Sequence, residues 1–522
     1  MTAQRLATGL AGPGVRVLRS DTEVHLEAAP AMVPGLAARL VEEEGCEFAT
    51  LVVEHRVEDF ELHYFFHGEE EHGVGVVQLT THVAIGDPVP AISDRVHAAD
   101  WDEREAEDLF EIHFAGHPFL GDFVLHDTEW REGVAPLRRG FDPCRQRPEG
   151  GRGGTWAPRR VLDEPGALVF PVGPVWGGDA EAGLWLLETP GEEIRQVHTR
   201  LFYKHRGVEK IAEGRDPESA LLLAERFSGN AAFGHGLAFC QALEAIAGTA
   251  VPRRAVLLRT ALGELERMRY HATVIAEIAG STALAVAKAW GQELEEELLR
   301  LSGEVFGHRY LFGVVAPGGL ARDIDAARLE RLRSTATSVA QRLDRFEHLL
   351  ERSSSFLDRL EEMGTITPEL ARSYGTVGPV GRASGRDVDL RQRLPYAAYH
   401  EFPPRTAGES EGDGYARLRV FFQEAREAAR LVVAVLEGLP EGPVRAPCKP
   451  ADGVGLGWVE SPAGAAFHWL RVDEQGLVRR WRAGTPAFRN WHAFHRAVEG
   501  AAFQDFPIVL ASFGLSIAEN DR

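Results

Sequence analysis

The sequence predicts an α+β chain in two parts: a small N-terminal α/β domain with an antiparallel sheet, and a larger, mainly helical bundle domain with peripheral β-hairpins. Three observations predict it. Short apolar, β-prone runs crowd residues 1–140. A stretch rich in Gly, Pro and Arg, without hydrophobic period, fills 141–166 and reads as a linker. Long segments with helical period dominate 167–522.

In order, a helix is expected at about 31–45. It is followed by a meander of "ATLVVEHR", "FELHYFFHG" and "GVGVVQLTTHVA". "WDEREAEDLFEIHF" (101–114) opens with acidic residues and continues with Leu109, Phe110 and Ile112, which is a helix start. Its carboxylates read as a solvated or partner-facing surface. After the linker, "ALVFPVGPVWGGDAEAGLWLLETPGEE" supplies short strands. Ile194, Val197, Leu201 and Val208 then follow at helical spacing. "DPESALLLAERF" begins with Asp216 as N-cap and Pro217 in the first turn. Residues 252–280, 325–363 and 415–439 read as long helices, and the last part returns to hairpins.

The chain has 522 residues and a formal net charge of −21. Its length suggests two to four domains at ~150 residues each. The acidic balance excludes a non-specific nucleic-acid binder, which needs a basic footprint. Cys46, Cys144, Cys240 and Cys448 form no CxxC pair and read as reduced thiols. No window reaches the ~18 apolar residues of a membrane span, and the N-terminus does not read as a signal peptide. Membrane contact is therefore expected to run through other subunits.

Two polar sets are candidates for chemistry. One is the stripe Leu201–His205–Glu209 beside Arg206; the other is Glu264, Arg267 and His271. The pairs His63/His67, His113/His117 and His492/His495 are poor metal sites, since residues four apart in a strand lie ~13 Å apart. No HExxH, phosphate loop or GxGxxG after a strand occurs, so direct NAD binding has no support. "ERFSGNAAFGHG" (225–236) combines small residues with one histidine and marks a close approach of backbone, ligand or cofactor.

These pieces resemble a known family. "WDEREAEDLFEIHFAGHPFL" with "APLRRGFD" is similar to the 30-kDa-type (C-type) subunit of respiratory complex I. "HTRLFYKHRGVEKIAEG", "QALEAIAGTAVPRRAVLLRTALGELERMRYH", "FGHRYLFGVVAPGGLARDID", "GTVGPVGRASGRDVDLR" and "FPIVLASFGLSIAENDR" are similar to the 49-kDa type (D-type), itself related to the [NiFe]-hydrogenase large subunit. "FYKHRGVEK", "GHRYLFG" and "ERF…FGHGLAFCQALE" are closest to the fused large subunit of membrane-bound, energy-converting hydrogenases.

The resemblance implies a hydrogenase large-subunit-like fold and a peripheral place on the cytoplasmic side of a membrane. It implies an iron–sulfur partner of the 20-kDa (B-type) or hydrogenase small-subunit type, carrying a [4Fe–4S] cluster. It also implies antiporter-like and H-type membrane-arm partners. The family's four thiolate ligands fall here on Ser228, Ala231, Ser516 and Glu519, so a NiFe centre is not expected. Ala463 stands where the family has an arginine. Near the histidine of either branch stands Trp176, and the quinone-binding tyrosine has no counterpart. Quinone remains a candidate ligand; no cofactor is expected to be bound by this chain itself. Arg206 and His271 match the family's cluster-facing pair, and Glu209 its proton-relay glutamate. Glu209, His235 and Glu519 are the residues expected to handle protons, around an emptied cavity formed by 228–236 and 511–522.

Overall fold

The computed structural model describes residues 3–11, 14–19, 23–68, 75–131, 133–143, 151, 153–175 and 181–522. Cys144 and Trp176 lie outside the described residues. The N-terminal part begins with α1 (Ala3–Leu10), β1 (Val15–Arg19), β2 (Glu23–Ala28) and α2 (Val33–Glu42). The expected meander follows as β3 (Glu47–His55), β4 (Asp59–His67) and β5 (Val76–Ala84). The sheet order is β1-β2-β5-β4-β3. It is not wholly antiparallel, because β2 pairs with β5 in parallel. Alternation along β4 sends Phe60, Leu62, Tyr64 and Phe66 into the core. Asp59, Glu61, His63, Phe65 and His67 then share the other face.

Helix α3 (Asp100–Phe110) corrects the expectation of a solvated acidic surface. Asp100, Asp102, Glu103 and Glu105 are buried. Asp102 Oδ1 accepts from Thr50 Oγ1 at 3.1 Å, the Leu51 N–H at 3.0 Å and Arg482 Nη2 at 3.0 Å. Glu105 binds Arg482 and accepts two bonds from Arg522 Nη2, at 2.8 and 2.9 Å. The acidic face is thus the seam with the C-terminal part. The histidine pairs belong partly to the same seam. Asp100 bridges His117 Nε2 at 3.0 Å and His492 Nε2 at 3.1 Å.

After the linker, β6 (Leu168–Val172), β7 (Leu184–Thr189) and β8 (Gln196–Arg200) form a three-stranded sheet. Here the expected helix over 194–209 is absent. Val197 and Thr199 pair with Leu187 and Trp185 of β7, a β-branched strand choice that the helical spacing concealed. Gly207, at φ 61°, then starts the short α4 (Val208–Ala212). Leu201, His205 and Glu209 therefore share no helix face. Helices α5 (Pro217–Arg226), α6 (Ala232–Ala247), α7 (Arg253–Ser281), α8 (Ala285–Phe306), α9 (Ala326–Glu351) and α10 (Gly414–Glu437) make the bundle. The Asp216 side chain caps α5 through the Ser219 N–H, as expected. Helix α7 packs against α8 and α10, and α9 packs on α8 and α10.

A further three-stranded sheet, β9 (Gly453–Ser461), β10 (Gly464–Val472) and β11 (Val478–Gly484), lies under α6. The chain closes with α11 (Pro486–Val498), α12 (Phe506–Phe513) and α13 (Ile517–Asn520). The approach of α6 to β9 depends on glycine. A Cβ at Gly457 would collide with the Ala238 carbonyl oxygen, and one at Gly455 with that of Ala242. Gly457→Ala is expected to cost about 2–3 kcal/mol in denaturant unfolding. Gly438→Ala, with open space around it, is expected to cost nothing measurable.

Candidate functional site

The small-residue loop links α5 to α6, and α7 clamps it from both sides. The first N–H groups of α6 have no partner within the helix. The Glu266 carboxylate accepts them, at 2.8 Å from Phe233 N and 2.9 Å from Gly234 N. Burial nevertheless pushes Glu266 up to about 7. Three residues on, Arg269 Nη2 donates to the carbonyls of Gly229 at 3.3 Å and Asn230 at 2.7 Å. Loop position is thereby set by one helix, and with it the direction of His235, one turn into α6.

His235 is completely buried and faces β10 and the C-terminal segment. Trp481 Nε1 is 3.1 Å from His468 Nδ1. His468 Nε2 is 3.0 Å from His235 Nδ1, and His235 Nε2 is 3.2 Å from Glu519 Oε1. The indole can only donate. His468 must therefore accept at Nδ1 and carry its proton on Nε2. That proton points to His235 Nδ1, so His235 in turn carries its own on Nε2, facing the carboxylate. One indole fixes both tautomers and gives a chain polarised from Trp481 to Glu519. Burial holds His468 well below the usual imidazole range, which keeps it neutral. Phe227 packs on the His235 ring at 4.5 Å. Side chains in mutual contact thus fill the space where an emptied cavity was expected.

The four ligand positions do not fit a NiFe centre. Ser228 is buried, and its Oγ lacks a hydrogen-bond partner. Ala231 offers only a methyl group. The Ser516 hydroxyl caps α13 by accepting the Glu519 N–H at 3.1 Å, while Glu519 faces His235. Two hydroxyls, a methyl and one carboxylate do not replace a soft thiolate set.

The remaining predicted residues separate into different surroundings. Glu209 is directed at guanidiniums: Arg480 Nη1 at 2.6 Å, Arg482 Nη1 at 3.5 Å and Arg522 Nε at 3.5 Å. It also accepts the Ala483 N–H at 3.2 Å. Against the cost of burial, Arg480, Arg482 and Arg522 hold Glu209 down to about 2. A carboxylate so held keeps its charge at neutral pH and is a poor proton carrier. Arg206 lies at the surface, 3.3 Å from Glu181, with Nη1 on the Ala518 carbonyl at 3.4 Å. His271 is fully buried and bonds Glu424 at 2.9 Å. Glu424 also accepts from Arg382 Nε at 2.7 Å. Arg267 and Glu264 belong to the same network, which continues to Arg391 and Asp389.

Sequence reasoning missed His468, Trp481, Glu266 and Arg269. The available signal for His468 was its place as the one polar residue within "GAAFHWL" of β10.

Comparisons with known proteins agree with this architecture. The model of the respiratory-chain NADH dehydrogenase 49-kDa subunit matches residues 284–454 and 446–522. That of its 30-kDa subunit matches 26–147, and that of nickel-dependent hydrogenase matches 206–275. Formate hydrogenlyase subunit 5 of Escherichia coli is 29% identical over 442 residues, covering 83% of this chain and 77% of that one. The D 2 subunit of NADH-quinone oxidoreductase from Streptomyces griseus is 30% identical over 345 residues, covering 64% and 86%. Among solved structures, a chain of the membrane-bound sulfane sulfur reductase, an archaeal respiratory membrane complex, superposes with a TM-score of 0.65. The match covers 68% of this chain and 98% of that one at 24% identity, a likeness of fold.

Proposed function

Because the chain belongs to the family of fused 30-kDa and 49-kDa complex I-type subunits, with relatives among hydrogenase subunits, we propose that it takes electrons from a docked [4Fe–4S] partner towards a quinone-like or other acceptor, with proton coupling and without a NiFe centre. The partner is an iron–sulfur subunit of the 20-kDa or hydrogenase small-subunit type. Membrane-arm proteins hold the assembly on the cytoplasmic side of the membrane. Among the described residues no helix is long and apolar enough to cross a membrane, so anchoring falls to those partners.

The observation that carries this reading is the polarised chain Trp481–His468–His235–Glu519, which ends on one of the four positions where the resemblance places a thiolate. A quinone that takes up two electrons also takes up two protons. An imidazole bonded to a carboxylate is suited to supply them. His235 and Glu519 are the proton-handling pair in this reading, while Glu209 keeps its charge among Arg480, Arg482 and Arg522. Arg206 faces the partner's cluster in this reading, while His271 lies apart from it, buried in the packing of α7 on α10.

A second reading, a catalytically silent subunit that docks the iron–sulfur protein to the membrane arm, is favoured by one observation: His235, His468 and Glu519 are packed with at most 1% exposure. The purified complex separates the two. The first reading expects acceptor reduction with iron but no stoichiometric nickel. Intact assembly without turnover would support the second, and stoichiometric nickel would contradict both.

A further inference from the structure

The face of the N-terminal sheet opposite its core carries an unusual arrangement. Glu54 of β3 and Glu61 of β4 are direct cross-strand partners. Like charges in that register repel. His63, two residues after Glu61 on the same face, is only 3% exposed. Its Nε2 has no hydrogen-bond partner. It stands 3.8 Å from Glu54 Oε2 and 3.9 Å from Glu61 Oε2, too far to bond either. The three ligand atoms lie within 4.8 Å of one another.

The other ring nitrogen is already engaged. His63 Nδ1 is 3.0 Å from Thr80 Oγ1 and 2.9 Å from the Gln78 amide, whose oxygen and nitrogen exchange places on a half-turn. Donation from Nδ1–H to Thr80 leaves a bare lone pair on Nε2, aimed at two carboxylates. That lone pair and the two carboxylates then converge. An outer hydrogen bond that fixes the imidazole tautomer is also what a metal-ligating histidine needs.

We propose that Glu54, Glu61 and His63 form a binding site for a borderline divalent transition-metal ion, with zinc the best fit. Zinc takes imidazole nitrogen and carboxylate oxygen at about 2.0–2.2 Å, which sets tetrahedral ligands about 3.4 Å apart. The two His63–carboxylate distances, 3.8 and 3.9 Å, need to close by about 0.5 Å. Arg471 already grips both Glu54 oxygens, with Nε 2.6 Å from Oε1 and Nη2 2.6 Å from Oε2, the oxygen that faces His63, and Arg56 grips Glu61 Oε2. A carboxylate has lone pairs for both a guanidinium and a metal. Glu54 also lines a cleft of about 550 Å³ together with Arg56, Arg139 and Asp473, which brings solvent to one side of the site. The three ligands lie on the N-terminal sheet, packed beside Trp469 and Arg471 of β10, and the proposal does not rest on the proposed redox role.

The full chain, stripped with a chelator and titrated with Zn²⁺ alone, is expected to take up one ion at a saturable site. Zinc X-ray absorption should report nitrogen and oxygen ligands, one of them imidazole, and no sulfur. His63→Gln should weaken binding at least tenfold, while His67→Gln, on the same strand face, should leave it unchanged. If His63→Gln does not fold, anomalous scattering from zinc in wild-type crystals replaces it. An ion between Glu54, Glu61 and His63 supports the proposal. No saturable uptake, equal uptake by His63→Gln, or an ion placed elsewhere overturns it.

Discussion

Arg482→Met is expected to destabilise the protein by about 3–5 kcal/mol, the cost of leaving buried carboxylates without their counter-charge. That is a large share of the ~5–15 kcal/mol that holds a domain together. Its side chain is 4% exposed and touches Asp102, Glu105 and Glu209. Two of these come from the N-terminal part and one from the helical part, so a single guanidinium ties both together. Denaturant unfolding measures the loss. Glu296→Gln, which breaks an exposed pair with Arg309, is expected to leave the midpoint unchanged. The sign of the pH dependence follows from Glu209. Its folded value is depressed from 4.5 to about 2, so its stabilisation is complete above pH 4.5 and is lost as pH falls towards 2. The wild-type advantage over Arg482→Met should shrink in that window.

The second large effect is expected from His235→Ala. Two polar partners, His468 Nε2–H and the Glu519 carboxylate, lose their bonds inside the protein, and a gap opens beside Phe227. Stability should fall by about 3 kcal/mol. In the assembled complex, acceptor reduction should fall about a hundredfold, the scale of a lost general acid or base. Trp481→Phe separates proton handling from packing. It keeps the bulk beside Phe239 but frees His468 to change tautomer. Its effect should appear as a shifted pH–rate profile. A structural role for the chain would instead lower assembly and leave the pH profile of the remaining turnover unchanged.

Much of the fold was legible because its signals are local. Strand β4 alternates apolar and polar residues. Helix α5 carries its own Asp-Pro start, and α7 runs unbroken over 29 residues where the sequence places a long helix at 252–280. The errors arose where distant partners decide. The acidic run of α3 looks solvated in any short window, because its arginines stand some 380 residues later. Residues 194–201 fit a helical spacing, but β7 was available to pair with them. The site was half legible. The loop, His235 and Glu519 follow from residue types and the family resemblance. His468 and Trp481 do not, since only the pairing of β10 with β11 brings them to α6. Glu209 shows the converse: its motif was visible, but not the three guanidiniums that remove it from proton traffic.

The central claim is that a polarised hydrogen-bond chain runs from Trp481 through His468 and His235 to Glu519. Histidine ¹⁵N resonances of the chain test it most directly, with His235 and His468 assigned by the signals lost in His235→Gln and His468→Gln. Both rings are predicted to carry a proton on Nε2 and none on Nδ1, and Trp481→Phe is predicted to release that preference in His468. A proton on Nδ1 of either ring in the wild-type protein would contradict the account.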